Sequence, residues 1–319
     1  MPTVRQNGTT VSGGQDTVKR SYVRFFGGFG EVRFGDDEDS RLQKAYDAPQ
    51  AGSLFGVNSP FLTWTNNPIG TNTTQNPIGN KRAQRIAYFS PTFAGFSFAV
   101  SYSMNDHKGN LAPVTFQSTT GPGVSGQQNN QYSAAASYDN KFGDFRIQAS
   151  TGYTRTTQAA GSLPITNSTC ATAVTASTGG ASTAACQTGA VEPKNGWAWD
   201  GGLVLGFGPF QAGGSYEHRG GNSGSNGNGN RSDTFDLGVV WTIGPFAASV
   251  NWSEGRYNNF AGEATAKLDI AEIIFDYVLG PGVSVGAAFQ YNKYRSGVDS
   301  SVSQSMHDQS IQFGTAFTF

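Results

Sequence analysis

The residue types and the spacing of two charged groups suggest that these groups could select solutes by charge. The acidic group is Asp36, Asp37, Glu38 and Asp39, with Asp47 further along the chain. The basic group is Arg20, Arg24, Arg33 and Arg85. Carboxylates and guanidinium groups that face each other across a water-filled passage create a field that orders water and sorts solutes by charge and dipole. The two groups therefore suggest an ion-selective constriction, if the elements that carry them place them face to face.

The same residues also allow a plainer interpretation. In that interpretation the acidic run is the solvated start of a loop, and the arginines pair with nearby carboxylates for stability. The sequence leaves both interpretations open.

Catalytic and metal-binding chemistry has little support in the sequence. The three histidines, His107, His218 and His307, are predicted at the same rim but on strands spread around a wide sheet, so we do not expect them to converge on one metal or substrate. No Gly-x-Ser-x-Gly or His-Glu-x-x-His spacing occurs. The sequence predicts no enzyme, no metal site and no cofactor.

The two cysteines, Cys170 and Cys186, lie in one Ala/Thr/Ser-rich stretch between predicted strands. In an oxidising compartment they could close a small loop and stabilise it by roughly 3 kcal/mol in the chain-entropy model. The alternative is two free thiols in a loop, which a thiol titration on unreduced protein distinguishes.

The composition narrows the class of protein. The chain has 319 residues, 43 of them glycine, with 13% aromatic and only 13% charged residues and a formal net charge of -1. A soluble domain usually carries about a quarter charged residues. No apolar run approaches the ~20 residues of a helical membrane span, so membrane residence would have to come from strands. The near-neutral charge, with no basic cluster among aromatics, argues against a nucleic-acid partner.

An alternation of apolar with small or polar residues recurs along the chain. In the last segment, residues 311–319, the odd positions are mostly bulky and apolar, whereas the even positions are small or polar. Such a period of two predicts strands with one face toward lipid and one toward water. We predict thirteen strands, near residues 19–26, 29–35, 84–90, 95–104, 131–139, 144–154, 197–206, 209–218, 233–243, 246–255, 266–278, 283–294 and 308–319.

The connections between these strands alternate between short turns and long polar loops. Glycine or proline marks the short turns, such as Gly244-Pro245, because glycine supplies positive φ and proline fixes φ. Short turns at one rim and long loops at the other are typical of a transmembrane β-barrel. Thirteen is an odd number, whereas bacterial single-chain barrels have even numbers, so we expect the N-terminal strands to be missing from this chain. No signal peptide is visible at the N-terminus.

The parity of the strands predicts where the charged side chains point. All four arginines of the basic group alternate with apolar neighbours, and facing lipid would cost each roughly 2–4 kcal/mol, so we expect them in the lumen. Other charged residues on the same parity are predicted to be ordinary wetted lining: Arg146, Asp200, Glu217, Arg219, Asp236, Glu272 and Asp276.

Two hairpins resemble a known family. Residues 80–96, NKRAQRIAYFSPTFAGF, look like the N-x-I-x-Y-x-S-P-x-F-x-G-F hairpin of Gram-negative general porins. Residues 27–35, GGFGEVRFG, are similar to the GGFGTVxLGR hairpin of the same family. The C-terminal Phe319 on an alternating strand also resembles the family, in which that residue serves outer-membrane assembly.

The resemblance implies a barrel of sixteen strands, usually trimeric, whose long third loop folds into the lumen as a constriction. Three missing strands would complete the thirteen predicted here. The third loop would then be residues 36–83, and residues 155–196 would be a long extracellular loop, within one porin domain spanning residues 1–319. The resemblance also implies a basic residue at the position of Arg20.

The sequence therefore predicts a porin of the bacterial outer membrane. Its expected function is passive diffusion of ions and small hydrophilic solutes, with outer-membrane lipids, lipopolysaccharide and further copies of the chain as partners. The alternatives are an outer-membrane barrel enzyme and a secreted β-rich adhesin. An adhesin sandwich would bury one face of each strand, yet the non-aromatic face here carries arginines and acids.

Overall fold

The computed structural model describes residues 5–6, 9–10, 20–56, 82–105, 128–158, 195–220, 231–258, 266–295 and 305–317. Nearly all of them lie in strands. The elements in chain order are β1 (Arg5–Gln6), β2 (Thr9–Thr10), β3 (Ser21–Gly27), β4 (Gly30–Glu38), α1 (Ser40–Lys44), β5 (Arg82–Phe89), β6 (Phe96–Asn105), β7 (Gln128–Phe142), β8 (Phe145–Gln158), β9 (Gly196–Phe207), β10 (Phe210–Gly220), β11 (Arg231–Ile243), β12 (Phe246–Asn258), β13 (Ala266–Gly280), β14 (Val283–Arg295) and β15 (Ser305–Phe317).

Strands β3 to β15 form one antiparallel sheet of thirteen strands, in which each strand pairs with its neighbours in the sequence. The predicted number of strands is therefore confirmed. Strands β1 and β2 form a separate two-stranded pair. Within the described residues, β3 and β15 are the two edges of the large sheet. No helix in this part of the chain is long and apolar enough to cross a membrane.

Tight glycine turns join the strands at one rim. Gly208 and Gly244 each adopt a φ of +55°, a left-handed conformation that favours glycine, and each precedes a proline. The proline carbonyl of each turn then accepts a hydrogen bond from the neighbouring strand: Pro209 from the backbone N–H of Thr242, and Pro245 from that of Val278, both at 2.9 Å. These turns fix the register of the hairpins they close.

The two faces of the sheet differ sharply in chemistry. We call the face that contacts α1 and residues 45–56 the inner face, and the opposite one the outer face. On β11 the outer residues Leu237 and Val239 are 54% and 51% exposed, whereas Asp236 on the inner face is fully buried. A soluble protein would arrange these residues the other way round. The outer face has the apolar surface that lipid requires.

A small apolar cluster lies on the inner face, beneath residues 45–56. Ala51 and Phe55 pack against Val240, Ile274 and Ala288, which come from β11, β13 and β14. This contact gives the chain a hydrophobic attachment point inside the sheet. It also shows that the inner face is not lined by polar side chains alone.

Candidate functional site

Residues 39–56, which we call the inner segment, run along the inner face from β6 to β15. The segment begins where β4 ends, and α1 packs against β6, β7 and β8. Its far end reaches β14 and β15, where Phe55 approaches Gly286 and Gly314. A single stretch of chain therefore crosses ten neighbouring strands on one face of the sheet.

The start of the inner segment is fixed by Asp39. Its side chain caps α1 by accepting a hydrogen bond from the backbone N–H of Arg41 at 3.0 Å. Its second carboxylate oxygen accepts hydrogen bonds from Gln131 and Thr154, both at 2.9 Å. Asp39 is fully buried, so it serves as an attachment to β7 and β8 rather than as a charge open to water.

Arg41 joins the inner segment to the wall by two ion pairs. The side chain is fully buried, and its Nη1 atom donates to Asp200 of β9 at 2.5 Å and to Glu217 of β10 at 2.7 Å. Burial acts to lower the pKa of Arg41, but the charges of Glu217 and Asp200 outweigh it and hold the pKa above its ordinary value. Arg219 also donates to Glu217, at 2.5 Å. Two arginines and two carboxylates thus form one buried cluster.

Backbone N–H groups of the inner segment bind oxygen atoms of the wall. The N–H of Tyr46 donates to Ser150 at 2.8 Å, and that of Ala48 donates to Asp236 at 3.3 Å. Further along, the N–H of Ala51 donates to Ser249 at 3.0 Å, and that of Gly56 donates to Glu272 at 3.2 Å. The wall oxygens satisfy a stretch of chain that has no strand partner of its own.

Two glycines on the inner face let the segment approach the wall closely. A Cβ atom at Gly202 would collide with the carbonyl oxygen of Tyr46. A Cβ atom at Gly238 would lie 2.6 Å from the carbonyl oxygen of Pro49. Any larger residue at either position would push the segment toward the centre of the lumen.

The arginines of β3 and β4 share the inner face and pair with nearby carboxylates. Arg24 lies directly opposite Arg33 in the strand ladder, so the two side chains point the same way. Arg33 contacts Glu31 at 2.6 Å and Asp37 at 3.1 Å, and it donates to Gln43 of α1 at 2.8 Å. Arg24 lies 3.8 Å from Glu31. The pairing with carboxylates on the same wall is the plainer of the two interpretations left open by the sequence.

Arg20 and Arg24 are much more open than their acidic partners. Their side chains are 45% and 49% exposed, against 22% for Glu31 and none for Asp37. Arg20 lies at 4.0 Å from Asp37 and 3.9 Å from Glu38, which is the limit of an ion pair. The charges that water can reach along this wall are mostly positive.

Arg85 is on the inner face of β5 but is almost fully buried, at 5% exposure. Its guanidinium donates to Ser101 at 3.5 Å, while its Nε and Nη2 atoms have no partner among the described residues. The parity prediction gave the correct face for Arg85, whereas its expected place in an open positive wall is wrong.

The position of the acidic group differs from the position predicted from the sequence. Asp36, Asp37 and Glu38 were expected at the start of the inner loop, but β4 extends through Glu38 because it pairs with β5 as far as Arg82. Of the five acids, only Asp39 and Asp47 lie in the inner segment; Asp47 accepts a hydrogen bond from Ser215 at 3.3 Å. The acids therefore do not face the arginines from an opposing loop.

Comparisons with known proteins identify the family. A family model described as Gram-negative porin matches residues 3–297. The chain belongs to the Gram-negative porin family. A search of curated proteins found no match.

Several solved outer-membrane proteins share the fold of this porin. The anion-selective porin from Comamonas acidovorans has a TM-score of 0.59 at 17% identity, covering 94% of this chain and 78% of that one. The trimer form of OmpT from Vibrio cholerae has a TM-score of 0.58 at 13% identity, covering 95% and 80%. The channel DcaP of Acinetobacter baumannii has a TM-score of 0.54 at 14% identity, covering 90% and 71%. The protein is a porin β-barrel of the bacterial outer membrane, and it forms a water-filled channel for passive diffusion.

The carboxylates predicted as ordinary lining have a different task in this porin. Asp200 and Glu217 hold Arg41, Asp236 and Glu272 accept backbone N–H groups, and Asp276 lies against Gly52. All five are nearly or fully buried beneath the inner segment. Their predicted inner face is correct, but four of them attach the segment and the fifth, Asp276, is covered by it, so none of the five lines open water.

Sequence reasoning passed over Arg41 and Lys44, which lie in a stretch without a periodic pattern. Lys44, the last residue of α1, donates to Ser97 of β6 at 2.8 Å. Burial lowers the pKa of Lys44, and the positive charge of Arg33 lowers it further. A signal for Arg41 was available, because the inner-face carboxylates Asp200 and Glu217 need a cation when they are buried.

Several predicted residues fall outside the site or outside the described part of the chain. His218 contacts Asp233 at 2.6 Å on the outer face of β10, and His307 is exposed on β15, so these two do not converge. His107, Cys170, Cys186 and Phe319 lie outside the described residues. Within the described ranges, no group of three or more His, Cys, Asp or Glu side chains is placed to hold a metal.

Proposed function

We propose that the inner segment forms the constriction of this porin and that the open arginines Arg20 and Arg24 make the passage favour anions. The observation that carries the proposal is the difference in exposure along one wall. Arg20 and Arg24 are almost half exposed, while the neighbouring carboxylates are largely covered. A permeating ion is influenced most by charges that are separated from it only by water.

The attachments of the inner segment support its role as a constriction. Segment and wall are joined by a buried ionic cluster, by four backbone hydrogen bonds and by an apolar contact. A segment held in this way reduces the cross-section by a fixed amount. It also covers the carboxylates that would otherwise make the lumen strongly acidic.

One structural neighbour is named as anion-selective, the porin from Comamonas acidovorans. At 17% identity this likeness concerns the fold alone. The proposed anion preference therefore depends on the exposed charges of this chain.

The test is the reversal potential of the full chain in a planar bilayer under a salt gradient. Replacing Arg24 with Gln should lower the anion-to-cation permeability ratio by about twofold to threefold. A unit charge about 7 Å from an ion in water contributes about 0.6 kcal/mol, and salt screens part of it. The control is Arg155→Gln, which removes the same charge from an exposed position on the outer face of β8.

An unchanged permeability ratio in Arg24→Gln would reject the proposed role of the open arginines. A change of equal size in Arg155→Gln would show that the field of the whole protein, rather than the lumen wall, sets the preference. A wild-type channel that prefers cations would also reject it.

We further propose that the porin assembles as a homotrimer, that it contacts outer-membrane lipids and lipopolysaccharide, and that it catalyses no reaction. The trimer has support from a structural neighbour that was solved as a trimer. The exposed apolar outer face supports the lipid contact. Native mass spectrometry in detergent tests the trimer, since a monomer mass would reject it.

Three earlier expectations stay predictions. Cys170 and Cys186 are proposed to form a disulfide, which a thiol titration on unreduced protein tests. Phe319 is proposed as the assembly signal, and its deletion should reduce insertion into the outer membrane. The third loop, expected at residues 36–83, is proposed for residues 39–81, because β4 runs to Glu38 and β5 begins at Arg82. The long extracellular loop, expected at residues 155–196, is proposed for residues 159–195 of the same single domain, because β8 runs to Gln158 and β9 begins at Gly196.

A further inference from the structure

The inner face of β3 alternates positive charges with aromatic rings. In chain order its residues are Arg20, Tyr22, Arg24 and Phe26, and Arg20 directly precedes the first residue of the strand. The ladder places Arg24 opposite Arg33, and alternate residues of a strand share one face, about 6.7 Å apart. We call these four residues of β3 the charged aromatic column.

Arg24 and Phe26 form the open part of the column. The guanidinium of Arg24 lies over the phenyl ring of Phe26, with its Cζ atom 4.7 Å from the ring centre. The Phe26 side chain is nevertheless 69% exposed, and that of Arg24 is 49% exposed. An apolar ring that meets water gains free energy when a solute covers it. The wall of the lumen therefore offers a ring and a charge side by side.

The N–H groups of Arg24 are also open to a solute. Within the described ranges, the carboxylate next to Arg24 is that of Glu31, whose Oε1 atom lies 3.8 Å from Nε, too far for a hydrogen bond. The same oxygen atom accepts a hydrogen bond from Arg33 at 2.6 Å. Phe26 thus covers one face of the Arg24 guanidinium, while the N–H groups at its edge remain available to a carboxylate.

Arg33 shows what a fully bound guanidinium looks like on this wall. It lies over two rings, with its Cζ atom 4.9 Å from the centre of Tyr22 and 4.4 Å from that of Phe89. Its N–H groups donate to three acceptors, Glu31, Asp37 and Gln43. The side chain is only 15% exposed. Compared with Arg33, Arg24 lacks a second ring and a carboxylate within hydrogen-bond distance among the described residues.

We infer that the charged aromatic column binds aromatic carboxylates, which are solutes with a carboxylate on a planar ring. Such a solute supplies both partners that Arg24 lacks: its carboxylate accepts from the N–H groups, and its ring packs against the guanidinium and Phe26. An aliphatic carboxylate supplies only the first. The inference deepens the proposed function and rests on it, because the open arginines must first favour anions in the lumen.

The test compares two carboxylates of equal charge and similar size, benzoate and cyclohexanecarboxylate, on the full chain in a planar bilayer. Each is titrated against a chloride current at neutral pH, and the concentration that halves the single-channel current is determined. An aromatic ring on an exposed ring or guanidinium contributes about twofold to fivefold in affinity. We therefore expect benzoate to halve the current at about fivefold lower concentration. Burial of apolar surface alone would favour cyclohexanecarboxylate, whose ring is the more apolar.

Variants of neighbouring β3 residues assign the preference to the column. Phe26→Leu removes the ring but keeps an apolar side chain, so the two acids should then act at concentrations within about twofold of each other. The matched control is Phe25→Leu on the outer face, where Phe25 is 57% exposed; it should keep the wild-type preference. Arg24→Lys keeps the charge but lacks the planar guanidinium, so it should retain the anion preference in KCl and lose most of the preference for benzoate. Heat-modifiable gel mobility confirms that each variant is folded.

The inference is overturned if the wild-type channel responds to both acids at the same concentration, or if Phe26→Leu keeps the full preference for benzoate. An equal loss in Phe25→Leu would assign the preference to the lipid side and would also overturn it. The reversal potential in KCl alone, with no aromatic solute present, tests the anion preference separately. A channel that prefers cations in KCl rejects the proposed function, whereas equal half-inhibition in an anion-preferring channel rejects only the binding of aromatic carboxylates.

Discussion

Arg41 is expected to hold the inner segment against the far wall, so replacing it should loosen the constriction without unfolding the barrel. Arg41→Met keeps the length of the side chain but removes the cation from the carboxylates of Asp200 and Glu217. Removing one partner of a buried ion pair typically costs about 3–5 kcal/mol, because the other charge stays buried and uncompensated. Arg219 still donates to Glu217, so we expect the lower end, about 3 kcal/mol.

A loss of about 3 kcal/mol changes the ratio of attached to detached segment by about 100-fold. The strand ladders that hold the wall are untouched, since Arg41 belongs to α1 and is not part of a strand. We therefore expect normal heat-modifiable mobility of the folded barrel, together with a larger mean single-channel conductance and more current noise.

Two controls separate attachment from a general loss of charge. Arg146→Met breaks an ion pair of similar length, 2.6 Å to Asp139, but a solvent-exposed one, so it should cost less than about 1 kcal/mol and leave the current noise unchanged. Arg41→Met combined with Asp200→Asn removes both charges of this ion pair, so the current noise should return part of the way to the wild-type level. If Arg41→Met conducts as quietly and at the same level as wild type, the attachment does not depend on this cluster and the reasoning is refuted.

Other residues of the wall and the inner segment give further predictions. Gly202→Ala should force the inner segment off the wall, which should lower the stability by about 1–3 kcal/mol and alter the conductance. Gly201→Ala on the outer face should change neither quantity, and equal effects of the two variants would contradict the close approach of Tyr46 to Gly202. Because burial and the charge of Arg33 lower the pKa of Lys44, Lys44 should lose its charge below the ordinary lysine pKa of 10.5, and the anion preference should fall as the pH rises through that range. This pH dependence should be absent in Lys44→Met, and its persistence there would assign it to another group. Asp37→Asn should increase the anion preference, because a carboxylate 3.1 Å from an inner-face arginine becomes neutral; an unchanged reversal potential would show that this buried charge does not reach the ion path.

The strands could be predicted because each one carries its own signal. In β12, residues 246–253 alternate apolar with small or polar side chains and follow a Gly-Pro turn, so both the period and the start are local properties. The face of each charged side chain follows from the same period. For that reason the inner-face position of Asp200, Glu217 and Glu272 was predicted correctly, although these residues are far apart in the sequence.

The site could be predicted only in part, because its contacts are not local. Arg41 binds carboxylates that lie 159 and 176 residues further along the chain, and no local pattern indicates such a pairing. The extent of β4 was underestimated for a related reason. Aspartate disfavours strands by itself, but the ladder with β5 continues past Gly35, and pairing outweighs the propensity of Asp36 and Asp37. The burial of Arg85 also involves contacts that are not local: Ser101, to which Arg85 donates, donates in turn to Ser40 of α1.

One face of this sheet meets water inside a conducting lumen, and the other meets lipid. Neighbouring residues Arg24 and Phe25 test this arrangement directly, because both side chains are about half exposed but point to opposite faces. Each is replaced singly by cysteine in a background in which Cys170 and Cys186 are serine. A membrane-impermeant, negatively charged thiol reagent is then added during single-channel recording.

We expect the reagent to react with the cysteine at position 24 and to change the open-channel current and its anion preference. The cysteine at position 25 should not react from the aqueous phase and should leave the current unchanged. A current that responds at position 25 and not at position 24, or at neither, would contradict the assignment of the two faces and the conducting lumen with it.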